Sequence, residues 1–272
     1  MLGAIIGDVI GSVYEWHNMK STEFPLYSRF TRFTDDTVLT VAVADAVLSR
    51  NKQKNRLADY LASKQLYASR YRQYYHWFPD AGYGQKFEEW AKNRSSKPYR
   101  SYGNGSAMRV SPIGFASQTL EEALAESRRS AIVTHNHRHG IKGAQAVAAA
   151  IFLARHGESK AEIKDYIQRK FKYNLEQSLD EIRPTYTFDP SCQGSVPQAI
   201  IAFLESDHFE DAIRKAISIG GDSDTIACIA GGIAHAFYKE IPSEMASDVM
   251  LKLDPRFRSI IREFNSKYEI PM

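Results

Sequence analysis

The pattern of apolar and polar positions predicts helices along almost the whole chain. Apolar residues recur with helical spacing, whereas the alternation of apolar and polar residues that marks a half-buried strand is nearly absent. We therefore predict an all-α fold with loops at 17–34, 79–84, 93–118 and 184–195. Helices are predicted over 37–50, 56–78, 120–133, 140–156, 160–172, 196–206, 208–219, 225–238, 243–253 and 256–267.

Two of these patterns indicate helices at the centre of the fold. Residues 37–50 are apolar on nearly all sides, which is typical of a helix surrounded by others. Gly3, Gly7 and Gly11 fall four residues apart, so they form a bare stripe on the first helix, where another helix backbone can approach closely. The helix predicted over 225–238 has a similar face of small residues. We expect a single compact orthogonal helical bundle.

Composition and charge narrow the class of protein. With 272 residues, 43% apolar and 25% charged, the chain is long enough to bury one sizeable core. The net charge of +3, spread over scattered Lys and Arg, disfavours a nucleic-acid-binding surface. The apolar N-terminus carries Asp8, which argues against a signal peptide or membrane span. We expect one catalytic domain over 1–272, monomeric and cytoplasmic, with no membrane partner.

Two short acidic clusters carry the candidate chemistry. Residues 34–37 (TDDT) and 222–225 (DSDT) each open an apolar helical run. Helix capping explains one acid at a helix start, but it explains two poorly, because the helix dipole offers only about half a charge. Carboxylate and hydroxyl oxygens suit Mg²⁺ or Mn²⁺, and the absence of His and Cys disfavours zinc. Four carboxylates are enough for a two-metal site. Both interpretations, metal binding and capping, stay open at this point.

Three further segments are candidates for binding or catalysis. The loop Gly103-Asn104-Gly105 can offer backbone amides to phosphate oxygens, and Gly82-Tyr83-Gly84 can form a second loop of this kind; either could equally be an ordinary tight turn. Residues 135–139 (HNHRH) indicate a polar loop in which at most one histidine takes part in binding or catalysis. Glu15 follows the first helix and could reach the cavity between the helices, or it could be an ordinary exposed glutamate.

Taken in order along the chain, these segments resemble the ADP-ribosylglycohydrolase family. That family consists of all-helical hydrolases that remove ADP-ribose from modified targets. The resemblance runs almost end to end and is carried by the motifs GAIIGDVIGSVYEWH, FTDDT, SYGNGSAMRVSPIG, THNH and GGDSDTIACIAGGIAHAFY.

The resemblance implies roles for individual residues. Two Mg²⁺ ions, with Mn²⁺ as the alternative, would be held by Thr34, Asp35, Asp36, Asp222, Asp224 and Thr225. ADP-ribose would be contacted by Ser101, Tyr102, Gly103, Asn104 and His135, to which our interpretation of the loops adds Gly82 and Gly84. Glu15 would transfer protons and would form the catalytic set together with Asp35 and Asp36. Tyr102 is the candidate platform for adenine, and Asp8 is expected to be structural.

The expected reaction is hydrolysis at the anomeric carbon of the distal ribose, with ADP-ribose or an ADP-ribosylated protein as the ligand. The segment Ser195-Val196-Pro197 is closer to the serine-ADP-ribose and poly-ADP-ribose hydrolase branch than to the dinitrogenase reductase-activating branch. The linkage stays open, and nucleic-acid-linked or O-acetyl substrates are included. The main alternative is a non-catalytic ADP-ribose-binding protein. An enzyme acting on isoprenyl diphosphates is disfavoured because no DDxxD motif occurs.

Overall fold

The protein is described by a computed structural model that covers residues 1–51 and 53–271. These residues form α-helices and no strand, which confirms the all-α prediction. The helices are α1 (Leu2–Gly11), α2 (Asp35–Leu48), α3 (Arg56–Trp77), α4 (Gln85–Lys92), α5 (Gly105–Met108), α6 (Ser111–Ala116), α7 (Leu120–Ala131), α8 (Arg138–Arg155), α9 (Lys160–Phe171), α10 (Leu179–Ile182), α11 (Cys192–Glu205), α12 (Phe209–Ile217), α13 (Ser223–Tyr238), α14 (Ser243–Lys252) and α15 (Pro255–Lys267).

The glycine stripe of α1 packs directly against the backbone of α13. A Cβ atom added at Gly3 or Gly7 would overlap a carbonyl oxygen of α13, and one added at Gly11 would lie 2.5 Å from Asp224 Cα. All ten residues of α1 are buried. The close approach predicted from the spacing is confirmed, and it brings the C-terminal half of α1 alongside the N-terminus of α13.

Helix α2 is the second buried element at the site. Its residues from Asp36 to Ala44 are all buried, in agreement with its apolar sequence on nearly all sides. Helices α1, α3, α6 and α15 pack around it, while α8 and α11 cover other faces of α13. The N-termini of α2 and α13 therefore open at the same end of the bundle.

Helices occur in two segments that we expected to be loops. The segment 93–118 contains α5 and α6. Pro112 lies in the first turn of α6, where a backbone N–H would have no acceptor within the helix, so proline is tolerated there. Helix α11 begins at Cys192 rather than at 196, because the Ser191 side chain caps it by accepting from the backbone N–H of Gly194. The short helices α4 and α10 were also not predicted.

The described helices include none that combines the length and the apolar character needed to span a bilayer.

Candidate active site

The two acidic clusters converge where α1, α2 and α13 meet. Carboxylate oxygens of Asp8, Asp36 and Asp224 lie within 4.8 Å of one another, and those of Glu15, Asp222 and Asp224 form a second group with the same spacing. Asp224 belongs to both groups. The two adjoining sets of oxygen atoms, each of which combines residues of the first 36 positions with residues of the 222–225 cluster, therefore share one carboxylate.

Asp8 fixes the N-terminus of α2 from the side of α1. Its Oδ2 accepts from the backbone N–H groups of Thr34 and Thr37, each at 3.0 Å, and its Oδ1 accepts from Thr34 Oγ1 at 2.6 Å. A buried carboxylate that satisfies two free N–H groups at a helix start is stabilised there by the helix dipole. These bonds agree with the structural role expected for Asp8.

The second cluster is positioned by a tight turn before α13. Gly220 and Gly221 have φ values of 78° and 67°, a conformation that glycine adopts without strain. Asp222 follows, and its Oδ2 accepts from Asn104 Nδ2 at 2.7 Å. Thr225 Oγ1 donates to Asp36 Oδ2 at 3.2 Å, which links the two clusters directly.

Capping accounts for Thr34 but not for the acids. Thr34 is the N-cap of α2 and its side chain accepts from the Asp36 N–H at 3.3 Å, whereas Asp222 is the N-cap of α13 and makes no side-chain capping bond. Asp35 joins neither group of clustered oxygens. Its Oδ1 lies 3.8 Å from where a Cβ of Gly82 would be, so it faces the wall of the cavity on the Gly82 side.

The crowding of like charges raises the carboxyl pKa values. Burial raises the pKa of Glu15 to about 7, and the negative charges of Asp224 and Asp8 add to the shift. Burial also raises the pKa of Asp222 to about 6, and it raises the pKa values of Asp36 and Asp224 well above their usual range. A proton bound to one of these carboxylates reduces the repulsion between their negative charges. A bound cation would reduce the same repulsion.

The donor set fits a hard divalent cation. Asp36 Oδ1 is buried and has no hydrogen-bond partner. Among the described residues, no Lys or Arg forms an ion pair with any carboxylate of the two groups. Oxygen atoms alone, from carboxylates and threonine hydroxyls, are the ligands that Mg²⁺ and Mn²⁺ prefer. The acidic end of the site is therefore able to bind metal.

A cavity of about 870 Å³ extends from the acidic end. Every site residue predicted from the sequence lines it, including the proposed metal ligands and both glycine loops. The volume lies within the range of small-molecule and cofactor sites in proteins. The sequence-derived candidates thus belong to one continuous cavity.

The substrate loop of residues 101–105 is held against the segment that precedes α11. The N–H of Asn104 donates to Pro190 O at 2.8 Å, and the N–H of Cys192 donates to Tyr102 O at 3.0 Å. The Asn104 side chain then bridges Ser195 Oγ, at 2.9 Å, and Asp222. Asn104 consequently connects this loop to the acidic end of the cavity.

Only one histidine of residues 135–139 lines the cavity. His135 is buried, whereas His137 caps α8 by accepting from the His139 N–H at 3.2 Å. Burial, together with the positive charge of Arg109, lowers the pKa of His135 well below its usual value. Of the histidines in this segment, His135 is therefore the one placed to contact a ligand in the cavity.

The sequence reasoning missed an aromatic pair at the cavity wall. The rings of Trp16 and Phe188 stack with centroids 5.4 Å apart and an interplanar angle of 14°, although their side chains are 77% and 43% exposed. Trp16 follows Glu15 and could have been noted for that reason. No local signal indicates Phe188. Arg109 also lines the cavity; it lies in the motif SYGNGSAMRVSPIG, whose sequence does not indicate a role for it.

Comparison with known proteins identifies the family. The sequence model of the family described as ADP-ribosylglycohydrolase matches residues 1–268. The chain belongs to the ADP-ribosylglycohydrolase family. It is accordingly a glycosidase-type hydrolase, as the sequence motifs predicted.

Curated relatives and a solved structure agree with this assignment. The chain is 28% identical over 313 residues to the human (Homo sapiens) ADP-ribosylhydrolase ARH3, covering 88% of this chain and 84% of that protein. It is 26% identical over 270 residues to the ADP-ribosylarginine hydrolase Tri1 of Pseudomonas putida, covering 88% and 69%. A chain of an ADP-ribosylglycohydrolase-related protein complex superimposes with a TM-score of 0.73 at 20% identity, covering 100% and 97%, which shows the same fold.

Proposed function

We propose that residues 1–272 form one catalytic domain that hydrolyses the glycosidic bond between ADP-ribose and a modified target, with Mg²⁺ as cofactor. The observation that carries this proposal is the pair of adjoining oxygen groups at one end of a cavity that contains the substrate loop. One end of the cavity suits metal ions and ribose hydroxyls, and the other offers the loop of residues 101–105 and the imidazole of His135 to phosphates.

Two metal ions would be held by the predicted ligands Thr34, Asp35, Asp36, Asp222, Asp224 and Thr225. Of these, Asp36, Asp222 and Asp224 belong to the two oxygen groups, and Asp224, which belongs to both, could serve both ions. Asp35 would have to turn from the Gly82 wall to contribute. When bound, the metal supplies Lewis-acid stabilisation and orientation for ribose and water. Mg²⁺ and Mn²⁺ both suit these oxygen atoms.

Glu15 is the proposed proton-transfer group. It is half-buried, lines the cavity and lies in the same oxygen group as Asp222 and Asp224. In the metal-free protein a pKa of about 7 leaves both the acid and the carboxylate forms of Glu15 populated near neutral pH. A bound cation would lower this pKa and favour the carboxylate, the form that takes a proton from water. The water proton accepted by Glu15 balances the proton that the departing group requires.

The substrate-binding residues would contact the rest of ADP-ribose. Ser101, Gly103 and Asn104 present the fixed loop, and Tyr102, whose side chain is 56% exposed, is the proposed platform for adenine. Gly82 lies on the opposite side, next to Asp35. The names of the curated relatives support an ADP-ribosylated substrate, and the several ARH3 proteins among them favour the serine and poly-ADP-ribose branch over the arginine linkage that the name of Tri1 gives.

The decisive experiment is release of ADP-ribose from a panel of arginine-, serine- and nucleic-acid-linked substrates, with Mg²⁺ and with EDTA. Mg²⁺-dependent release from at least one member is expected. Asp254→Asn, at a half-buried capping aspartate of α15 outside the cavity, is a control for Asp224→Asn. Binding of ADP-ribose without release from any member would instead indicate the non-catalytic alternative.

A further inference from the structure

Three polar side chains form a relay of hydrogen bonds that ends at the cavity. Arg109 is completely buried, and its guanidinium carbon lies 4.1 Å from the ring centroid of Tyr71. Its Nη2 donates to Thr134 Oγ1 at 2.9 Å and to the carbonyl oxygen of Ser130 at 3.2 Å. Thr134 Oγ1 lies 2.8 Å from His135 Nδ1. The relay therefore joins a buried cation to an imidazole that lines the cavity.

The direction of each hydrogen bond follows from what each group can donate. A guanidinium donates and never accepts, so Thr134 Oγ1 is the acceptor of its bond with Arg109. The threonine hydroxyl has one proton, and giving it to His135 makes Nδ1 an acceptor. A neutral imidazole whose Nδ1 accepts carries its own proton on Nε2.

The Nε2 atom of His135 lies beside the substrate loop. Cβ atoms added at Gly105 and Gly103 would be 3.3 and 3.7 Å from it, so only glycines leave the space next to it free. Within the described ranges, Nε2 has no hydrogen-bond partner, and the residue lines the cavity. An N–H at this position would therefore be available to a ligand.

We propose that Arg109 and Thr134 hold His135 as a neutral imidazole whose Nε2–H donates one hydrogen bond to a phosphate oxygen of the bound substrate. The identity of the acceptor rests on the proposed function, since the phosphate belongs to ADP-ribose. His135 is then a binding residue, while Arg109 and Thr134 are positioning residues. The nitrogen that faces the ligand already carries a proton, so His135 does not act as a general base.

The electrostatics of the surroundings support the neutral form. Burial and the charge of Arg109 both lower the pKa of His135. Nε and Nη1 of Arg109 have no hydrogen-bond partner, and no carboxylate forms an ion pair with this arginine in the part of the chain that the structure describes. The unneutralised charge repels a second cation nearby but attracts an anion into the cavity.

The competing arrangement involves Tyr99, whose side chain also approaches Thr134. If Thr134 donated to the Tyr99 hydroxyl instead, His135 would carry its proton on Nδ1 and would offer a lone pair, not an N–H, to the ligand. The two arrangements make opposite predictions for the protonated nitrogen, which is directly measurable.

The test is a long-range ¹H–¹⁵N correlation spectrum of the full chain with ¹⁵N-labelled histidine, in which His135→Gln assigns the His135 signals. We expect the proton on Nε2 near neutral pH, and a shift of this signal when ADP-ribose is added. Thr134→Val should mix the two tautomers and weaken ADP-ribose binding about tenfold. Tyr71→Phe, which removes a hydroxyl from the same cluster but not from the relay, should change neither.

Two further variants keep the test decisive, because substitution of the buried Arg109 risks unfolding the protein. His135→Gln places an amide N–H near the position of Nε2 and should retain ADP-ribose binding within about threefold, whereas His135→Leu should lose about tenfold. A proton on Nδ1, an imidazolium, or a tautomer unchanged in Thr134→Val would overturn the proposal. Failure of ADP-ribose to bind would instead overturn the proposed function, because the tautomer is measured without ligand.

Discussion

The two ends of helix α2 carry clusters of the same residue types in opposite electrostatic situations. At its C-terminal end, Arg50 pairs with Asp59 at 2.8 Å and with Glu126 at 2.6 Å, and Arg129 pairs with the same two acids. At its N-terminal end, the carboxylates of Asp8, Asp36 and Asp224 accept hydrogen bonds but form no ion pair with Lys or Arg among the described residues.

The pKa values of Asp59 and Asp36 are shifted in opposite directions at the two ends of α2. The pKa of Asp59 is lowered, because hydrogen bonds and the charges of Arg50 and Arg129 outweigh the effect of burial. The pKa of Asp36 is raised by burial and by neighbouring acids. Paired acids hold α2, α3 and α7 together, whereas unpaired acids leave a charge that a ligand must neutralise. The comparison teaches that charge balance, rather than acid content, separates the structural cluster from the functional one.

The largest effect should come from Asp224, the carboxylate common to both oxygen groups. We expect Asp224→Asn to lower kcat/KM by about 10³-fold, equivalent to about 4 kcal/mol, because metal-dependent stabilisation of the reaction is lost. Initial rates and Mg²⁺ titration calorimetry would measure it. Asp59→Asn at the other end of α2 is the matched control and should leave kcat of the folded enzyme unchanged. Full activity of the Asp224 variant in EDTA would contradict the metal assignment.

Glu15 should have the next largest effect. Glu15→Gln is expected to reduce kcat by about 10²-fold, because the amide cannot exchange a proton. The wild-type pH–rate inflection that Glu15 produces should disappear as well; it should lie below the metal-free pKa of about 7, because a bound cation lowers the pKa of a neighbouring carboxyl. Glu23→Gln, at an exposed position on the same loop, serves as the control. Retention of the inflection in the Glu15 variant would assign proton transfer to another group.

The paired cluster should respond in stability and not in activity. Glu126 accepts from Ser63, Tyr67 and Arg129 and also pairs with Arg50, so Glu126→Gln leaves buried donors without a charged partner. We expect a loss of about 2 kcal/mol in the free energy of unfolding, measured in urea, with kcat unchanged. Glu88→Gln removes an exposed pair with Lys92 and should cost less than about 0.5 kcal/mol.

The smallest predicted effect is the pH dependence of the metal-free protein. Glu15 and Asp222 have pKa values of about 7 and about 6 in the fold, above the unfolded values of 4.5 and 3.8. The folded state therefore binds more protons, and its stability falls as the pH rises through this range. After allowance for solvent screening, we expect about 1 kcal/mol less stability at pH 8 than at pH 5.

Calorimetric unfolding at the two pH values, with and without Mg²⁺, would measure this loss. A bound cation should abolish it, since it replaces the protons, and Glu15→Gln should reduce it. A metal-free protein that becomes more stable toward pH 8 would show that the cluster is neutralised by groups of the protein itself.

Local signals in the sequence were enough for the fold class and for many of the residues that line the cavity. Helical periodicity identified the long helices, and two acids at each helix start exceeded what capping requires. The stripe of Gly3, Gly7 and Gly11 indicated the contact that brings α1 to α13. Such features are visible because each depends on residues a few positions apart.

What the sequence could not indicate depends on pairs far apart along the chain. Asn104 meets Asp222 across 118 positions, and the partner of Trp16 comes from a loop with no regular pattern. The backbone N–H of Asp35 likewise donates to the carbonyl oxygen of Ala81, which lies in a different loop. Helices α5 and α6 were missed because they are too short for periodicity to be recognised.

The backbone contact between α1 and α13 would limit the size of a cation bound between Asp36 and Asp224. At Gly3, Gly7 and Gly11 the backbone of α1 is in direct contact with α13, and the three hydrogen bonds that Asp8 accepts from Thr34 and Thr37 tie α2 to α1. The separation of the helix ends that carry Asp36 and Asp224 is thus set by main-chain packing, and side-chain rotation can adjust it only within narrow limits. An ion with the radius of Ca²⁺, which needs longer bonds and more ligands than Mg²⁺, would have to force the core of the bundle apart. The glycine contacts of α1 would thus select for divalent cations as small as Mg²⁺.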